Sequence, residues 1–162
     1  SELKLTSEIM LCAAKHDGCS VMEMLTNCVI FNDGAHKLIA DREFRTDRTI
    51  VLRHGEKMIF GKEMNKGIVQ DGFALKAVEI GKDGYTIDDV LVHDAHCQSN
   101  FLHQQLAMMD GHDLPLAIGV IRDVEAPVYD QEVEKQVAEV QGKKGYTCLR
   151  DMLLAGETWE VK

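Results

Sequence analysis

One cysteine stands out by its neighbours. In Glu23-Met24-Leu25-Thr26-Asn27-Cys28-Val29-Ile30-Phe31-Asn32-Asp33 an apolar lead-in gives way to polar residues around Cys28. The pattern reads as the end of a buried strand turning into a loop. Ligands of open α/β sheets collect at strand carboxyl ends, so a thiol there is placed for metal or cofactor work. Free cysteines are also among the most buried residues and pack as small hydrophobes. The pattern alone leaves both readings open.

His93-Asp94-Ala95-His96-Cys97, with His103 beyond it, is the densest set of other possible ligands. Neutral imidazole and thiolate are the usual zinc donors, but the spacing meets no standard zinc pattern. These residues read as fixing a strand-to-helix loop. Gly61-Lys62-Glu63-Met64-Asn65-Lys66-Gly67 has the glycines and lysines of a phosphate cradle. It lacks the Gly-Lys-Ser/Thr ending and a following helix, so it reads as a lysine-bearing hairpin loop. Arg122-Asp123-Val124-Glu125-Ala126-Pro127 sets charges after an apolar strand, where a ligand or a local ion pair could use them. His16, His36, His54 and His112 read as surface or turn residues. No Ser-His-Asp order makes a triad, and no carboxylate pair has a spacing that specifies acid–base work.

The elements that must position these groups alternate between helix and strand. Residues 3–16 have helical spacing (Leu5, Ile9, Leu11, Cys12), with Thr6 or Ser7 as cap and Gly18 as stop. Cys19 to Leu25 follows as an apolar run of strand length, in which Cys12 and Cys19 read as packing residues. Helix, glycine, buried strand is one step of a parallel sheet. Residues 34–47 fit a surface helix. Strands are expected at 49–52, 57–60, 67–69, 75–80 and 90–93, with hairpin turns at His54-Gly55-Glu56 and Asp71-Gly72. Ser99 or Asn100 caps a helix bearing Phe101, Leu102, Leu106 and Met109. Leu116 to Ile121 is a continuous apolar strand. Val133, Val137 and Val140 stripe a charged helix from Tyr129 to Gln141, and Thr147 caps a short last helix.

The 162 residues suit one ordinary domain, and 45% hydrophobic with 28% charged residues suits a globular chain. The net charge of −9 argues against a nucleic-acid partner, because phosphate binding needs excess Lys and Arg. No apolar run is long enough to span a bilayer, and no basic n-region marks a signal peptide. Five cysteines without CxxC spacing fit a reducing cytoplasm rather than a disulfide scaffold. The chain begins with Ser and opens on a helix, which reads as a piece of something longer.

Leu25-Thr26-Asn27-Cys28-Val29-Ile30-Phe31-Asn32 resembles the loop L-[ST]-P-C-x-x-[FY]-N in β subunits of 2-oxoacid:ferredoxin oxidoreductases. The resemblance extends through Met58-Ile59-Phe60-Gly61, Asn65-Lys66-Gly67-Ile68-Val69 and Leu91-Val92-His93-Asp94-Ala95-His96. It continues in Pro115 to Asp130 and ends in Gly156-Glu157-Thr158-Trp159-Glu160-Val161. The long C-terminal part is most similar to the 2-oxoglutarate type.

The family implies oxidative decarboxylation of a 2-oxoacid, here 2-oxoglutarate. Its thiamine diphosphate, held through Mg2+, does the carbon chemistry. A 4Fe–4S cluster passes electrons to ferredoxin, and coenzyme A takes the acyl group. The resemblance makes Cys28 the fourth cluster ligand and places Thr26, Asn27 and Asn32 beside the cofactor. Asn27 stands where the family has Pro, which leaves the loop less rigid and adds a backbone donor. The other three cluster cysteines and the Gly-Asp-Gly…Asn motif of the family have no match here. The chain is therefore expected to be the C-terminal half of a β subunit, inactive alone and without its own cofactors. The expected fold is α/β, with residues 1–33 the edge of a thiamine-diphosphate-binding parallel-sheet domain. Residues 34–162 form a hairpin-containing C-terminal region. The implied partner is the enzyme's α subunit in a hetero-oligomer.

Two other classes fit the residues: a non-catalytic assembly domain that kept the scaffold, and a zinc module through His93, His96 and Cys97. If the region from 48 onward packs on other parts of an enzyme, apolar surface is left uncovered in the isolated chain. The isolated chain should then self-associate. Light scattering at high concentration checks this, and a clean monomer contradicts it.

Overall fold

A computed structural model describes residues 3–145, 148–157 and 159–161. Thr147, the expected cap of the last helix, and Thr158 lie outside the described residues. The chain divides into two units, Ser1–His16 with Ser20–Glu125 and Asp17–Cys19 with Ala126–Lys162.

The larger unit is α/β. It begins with α1 (Leu3–Lys15), followed by two single turns, α2 (Lys37–Ala40) and α3 (Arg45–Arg48). Strand β1 (Thr49–Leu52) pairs in parallel with β5 (Leu116–Gly119), Thr49 opposite Leu116 and Leu52 opposite Gly119. Between them in sequence lie β2 (Ile59–Phe60), β3 (Lys66–Asp71), β4 (Ala74–Glu79) and α4 (Phe101–Ala107). Strands β2, β3 and β4 form an antiparallel sheet in that order. An α/β fold with a parallel pair and an antiparallel hairpin sheet is thus present, but the strand expected at 90–93 is reduced to an isolated bridge between Lys57 and Val92.

A core of Ile50, Leu52, Met58, Phe60, Ile68, Leu106 and Met109 joins β1, β2, β3 and α4. Each buried side chain of this size contributes about 1.5–3 kcal/mol of apolar transfer. Alternation along β1 explains its part. Ile50 and Leu52 face the core while Val51 is exposed. Gly67 lies in β3 because a Cβ there would come within 2.5 Å of the buried Val90 side chain.

The β3–β4 connection shifts by one residue from the expected turn. Asp71 pairs with Ala74, so Gly72 and Phe73 form the two-residue loop. Gly72 has φ +62° and Phe73 does not have positive φ, which is the type II′ requirement. The expected hairpin at His54-Gly55-Glu56 is not formed. β1 finds its partner in β5, and β2 finds its partner in β3. Gly61 to Asn65 is the β2–β3 loop, and Lys66 and Gly67 open β3. Lys66 Nζ lies 2.7 Å from the Asp47 carboxylate, whose pKa this hydrogen bond lowers. That engagement and the antiparallel setting leave no phosphate cradle.

Two expectations are corrected. Cys19 to Leu25 is irregular rather than a strand, and it is exposed, Val21 at 93%. Cys19 is exposed as well, so it does not pack. Residues 34–47 form single turns in place of one surface helix, since the acidic and basic positions outnumber the apolar ones needed to hold a face.

The smaller unit has two helices, α5 (Tyr129–Lys144) and α6 (Leu149–Leu153). Asp130 and Glu132 in the first turn of α5 complement its dipole, and Gly145 ends it at φ +58°. The Val133, Val137 and Val140 stripe is partly exposed. Among the described residues no helix is long and apolar enough to cross a membrane.

The parallel pair closes against a glycine. Gly119 has φ +114°, and a Cβ there would lie 2.6 Å from the Leu52 carbonyl oxygen. Gly119→Ala should destabilise the chain by about 2 kcal/mol or more, against about 1 kcal/mol for Gly72→Ala in open space. Urea midpoints of the two variants check the ranking, and equal midpoints contradict it.

Candidate functional site

The Cys28 loop is built by short-range hydrogen bonds. The Asn32 amide donates to the Cys28 carbonyl at 3.0 Å, closing a tight turn. Asn27 ties the base of the loop. Its Nδ2 donates to Asp33 Oδ1 at 2.9 Å, and its Oδ1 accepts from the Gly34 amide at 2.8 Å. Gly34 meets it with φ +76°. A side chain that bonds two residues across the loop restores the restraint expected to be lost with proline. Cys28 is exposed. The amides of Phe31 and then Ile30 donate to its sulfur and pull the thiol pKa below its ordinary value. Thr26 and Asn32 are exposed beside it, while the Asn27 amide is engaged within the loop.

This geometry fits one thiolate ligand of a metal or cluster, because amide donors stabilise a negatively charged sulfur. It does not make a complete site. Among the described residues no group of three or more His, Cys, Asp or Glu could hold a metal ion. Cys12, Cys19, Cys97 and Cys148 are free thiols. His93, His96 and Cys97 do not form a zinc set, since each imidazole is turned to a different purpose.

His93 is fully buried. Its Nε2–H donates to the Val120 carbonyl at 2.9 Å, which leaves Nδ1 buried without a partner. Burial pushes its pKa below the ordinary 6.5, opposed by the Val120 carbonyl. His103, 4% exposed, donates from Nε2 to the Asp94 carbonyl at 2.8 Å. Its Nδ1 accepts from Arg122 Nη1 at 2.9 Å. Arg122 also donates to the carbonyls of Cys97 at 3.0 Å and Gln98 at 3.2 Å. The 93–98 segment is thus held as a loop, as its sequence implies. The fork of Arg122 supplies the fixing group. Sequence spacing could not reveal that, because the contacts span up to 25 residues.

Ala95 and His96 of this loop line a cavity of about 250 Å3 at the carboxyl ends of β1 and β5. Leu52, Gly119 and Val120 come from the strand ends, and Leu5, Ile9 and Cys12 come from α1. Arg53, His54, His96, Asp123 and Glu8 give it polar groups. The Asp123 amide donates to the Ala95 carbonyl at 2.8 Å, and its carboxylate lies 3.0 Å from His16 Nδ1. Of these, the sequence singled out Asp123 and His96. Arg53 and Glu8 carried no signal.

No family model matches the chain, and no solved structure matches it. Over 158 residues, 96% of its length, it is 30% identical to the 2-oxoglutarate oxidoreductase subunit KorB of Mycobacterium tuberculosis. The chain is similar to an oxidoreductase subunit. It spans 42% of the length of KorB. The similarity to KorB covers both the Cys28 loop and the histidine clamp.

Burial of neutral His93 makes stability depend on pH. The unfolded chain takes up a proton that folded His93 refuses. Stability is therefore complete above about pH 6.5 and falls as pH drops below it, until folded His93 protonates in turn. The slope from this one group is at most about 1.4 kcal/mol per pH unit. His93→Leu should flatten the fall in urea midpoint below that pH. Parallel curves for parent and variant would show that His93 carries none of it.

Proposed function

We propose that the chain works as the C-terminal portion of a β subunit of a 2-oxoacid:ferredoxin oxidoreductase acting on 2-oxoglutarate. The similarity to KorB over 96% of the chain supports this reading. The observation that carries it to chemistry is the Cys28 loop. The family resemblance implies a cluster-ligand role for this thiol, and two backbone amides favour its thiolate. Cys28 then supplies one ligand of a 4Fe–4S cluster, with the remaining ligands and the thiamine diphosphate and Mg2+ sites outside this chain. When bound, that cofactor supplies the decarboxylation chemistry, and the cluster carries electrons toward ferredoxin. The role of this chain is to hold Cys28 exposed in a loop pinned by Asn27, with Thr26 and Asn32 beside it. Partner subunits cover its apolar surface and complete a cytoplasmic hetero-oligomer, with coenzyme A as acyl acceptor.

The test is made in the assembled enzyme. Cys28→Ala should abolish visible cluster absorbance and the 2-oxoglutarate-dependent reduction of a viologen dye. The chain alone should show neither after anaerobic incubation with iron and sulfide. Retention of cluster and activity in the Cys28→Ala enzyme removes the assignment of Cys28. An assembly that fails to reduce the dye with every 2-oxoacid tried leaves a non-catalytic assembly domain as the reading.

A further inference from the structure

We infer that the free edge of β4 is an interface between two copies of this chain, paired antiparallel about a two-fold axis at Ala77. The inference does not rest on the oxidoreductase reading. It begins with the direction of the backbone groups. The Ile80 amide donates to the Asn65 carbonyl at 2.7 Å. Backbone groups alternate sides along an antiparallel strand, so Ala74, Lys76 and Val78 also face β3. The N–H and C=O groups of Leu75, Ala77 and Glu79 turn the other way. Ile68, opposite Ala77, has the matching phase, because its amide donates to Met58 on the far side of β3 at 3.0 Å. β4 is the last strand of its sheet. The Lys82 amide donates to the Glu79 carbonyl at 3.2 Å, and no described residue supplies a backbone partner to the other outward groups.

An unpaired strand edge is a template for another strand. β4 contains no proline, and its register with β3 runs without a bulge from Ala74 to Glu79. Lys76, the charged residue of its outer face, is drawn back onto its own sheet. Its Nζ lies 3.9 Å from Asp71 Oδ2 and 5.5 Å from the centre of the Tyr85 ring.

The strand that fits this edge is β4 itself. Outward groups pair only with outward groups, so a two-fold antiparallel arrangement has few registers. With Ala77 opposite Ala77, Leu75 of each copy meets Glu79 of the other, and every free donor meets an acceptor. The Glu79 carbonyl has a second lone pair for that bond. The small Ala77 side chain then lies on the axis, and Lys76 faces Val78. Shifting so that Leu75 meets Ala77 would set Lys76 directly against Lys76 and leave the Glu79 amide unpaired. Shifting the other way would set Leu75 against Gly81, whose amide already donates to the Tyr85 carbonyl at 2.8 Å. Residues opposite each other share a face, so Leu75 of the second copy lies on the inner face beside Glu79. There a groove of about 500 Å3 is lined by Phe44, Phe60, Ala77, Leu114 and Pro115 together with Glu79. The apolar side chain of the second copy covers it, and the two sheets become one.

Sedimentation equilibrium of the chain, with amide exchange read by NMR, tests the inference. The chain should form a dimer with Kd of about 100 μM or tighter. Between about 10 μM and about 1 mM chain, exchange at Leu75, Ala77 and Glu79 should slow by at least about threefold. The Lys76 and Val78 amides, bonded to β3, should not change. Ala77→Pro removes an outward N–H and no bond to β3, so it suits an edge strand. It should raise Kd by at least about tenfold with the circular dichroism of the parent. If that variant does not fold, the exchange of the parent chain decides alone. A chain that stays monomeric up to about 1 mM overturns the inference. So does a folded Ala77→Pro chain that dimerises like the parent. Association that leaves the three outward amides exchanging as before runs through other surface, such as exposed Val29, Ile30 and Phe31, and overturns it too. Protection that appears only in the assembled enzyme puts a different subunit on the edge, with the same consequence.

Discussion

The larger unit depends on burying two neutral imidazoles with their N–H groups satisfied. Seven core side chains supply most of the driving force, each worth about 1.5–3 kcal/mol, but that force has no direction. The bonds from His93 to Val120 and from His103 to Asp94 are worth only about 1 kcal/mol each, net. Leaving either N–H without an acceptor inside the core would cost about 1–3 kcal/mol. Apolar burial therefore decides that the chain collapses. The histidines decide where the end of β5, the 93–98 loop and α4 meet.

That division of labour explains what could be read from the sequence. Elements whose evidence is local came through: α1, the β3–β4 hairpin, α4 and α5 all follow from periodicity, turn glycines and charge placement. Strands β1 and β5 were recognisable as strands, but their parallel pairing is separated by more than sixty residues and has no local mark. Residues 19–25 show the opposite failure. Their apolar run has the composition of a buried strand, yet a strand needs a neighbour to accept its hydrogen bonds, and none of the described strands pairs with it. Composition records what a segment can do when it is covered and does not name what covers it.

The candidate sites split along the same line. The Cys28 loop is closed by bonds between residues 27 and 34, so a short motif can specify it and a family resemblance can carry it. Even its departure from the motif has a local remedy, because Asn27 supplies in side-chain hydrogen bonds the restraint proline supplies in its ring. The cavity depends on α1, two strand ends and a loop held by Arg122. Its residues are scattered from Leu5 to Asp123, and no spacing along the chain could group them.

The Cys28 loop is independent of the core, and this sets its electrostatics. Val29, Ile30 and Phe31 are exposed at 73%, 84% and 90%, and the amides of the last two serve the sulfur. In water those two bonds compete with solvent, and the thiolate gains little from each. Covering the loop with an apolar surface would remove the competing water and strengthen both bonds. It would also remove the hydration of the thiolate, which burial alone penalises. The two effects oppose each other, and two neutral amides do not balance the loss for a full negative charge. A covered Cys28 thiolate therefore requires a cation at the sulfur. A lysine, an arginine or a metal centre would each provide that positive charge, and the exposed sulfur is open to any of them.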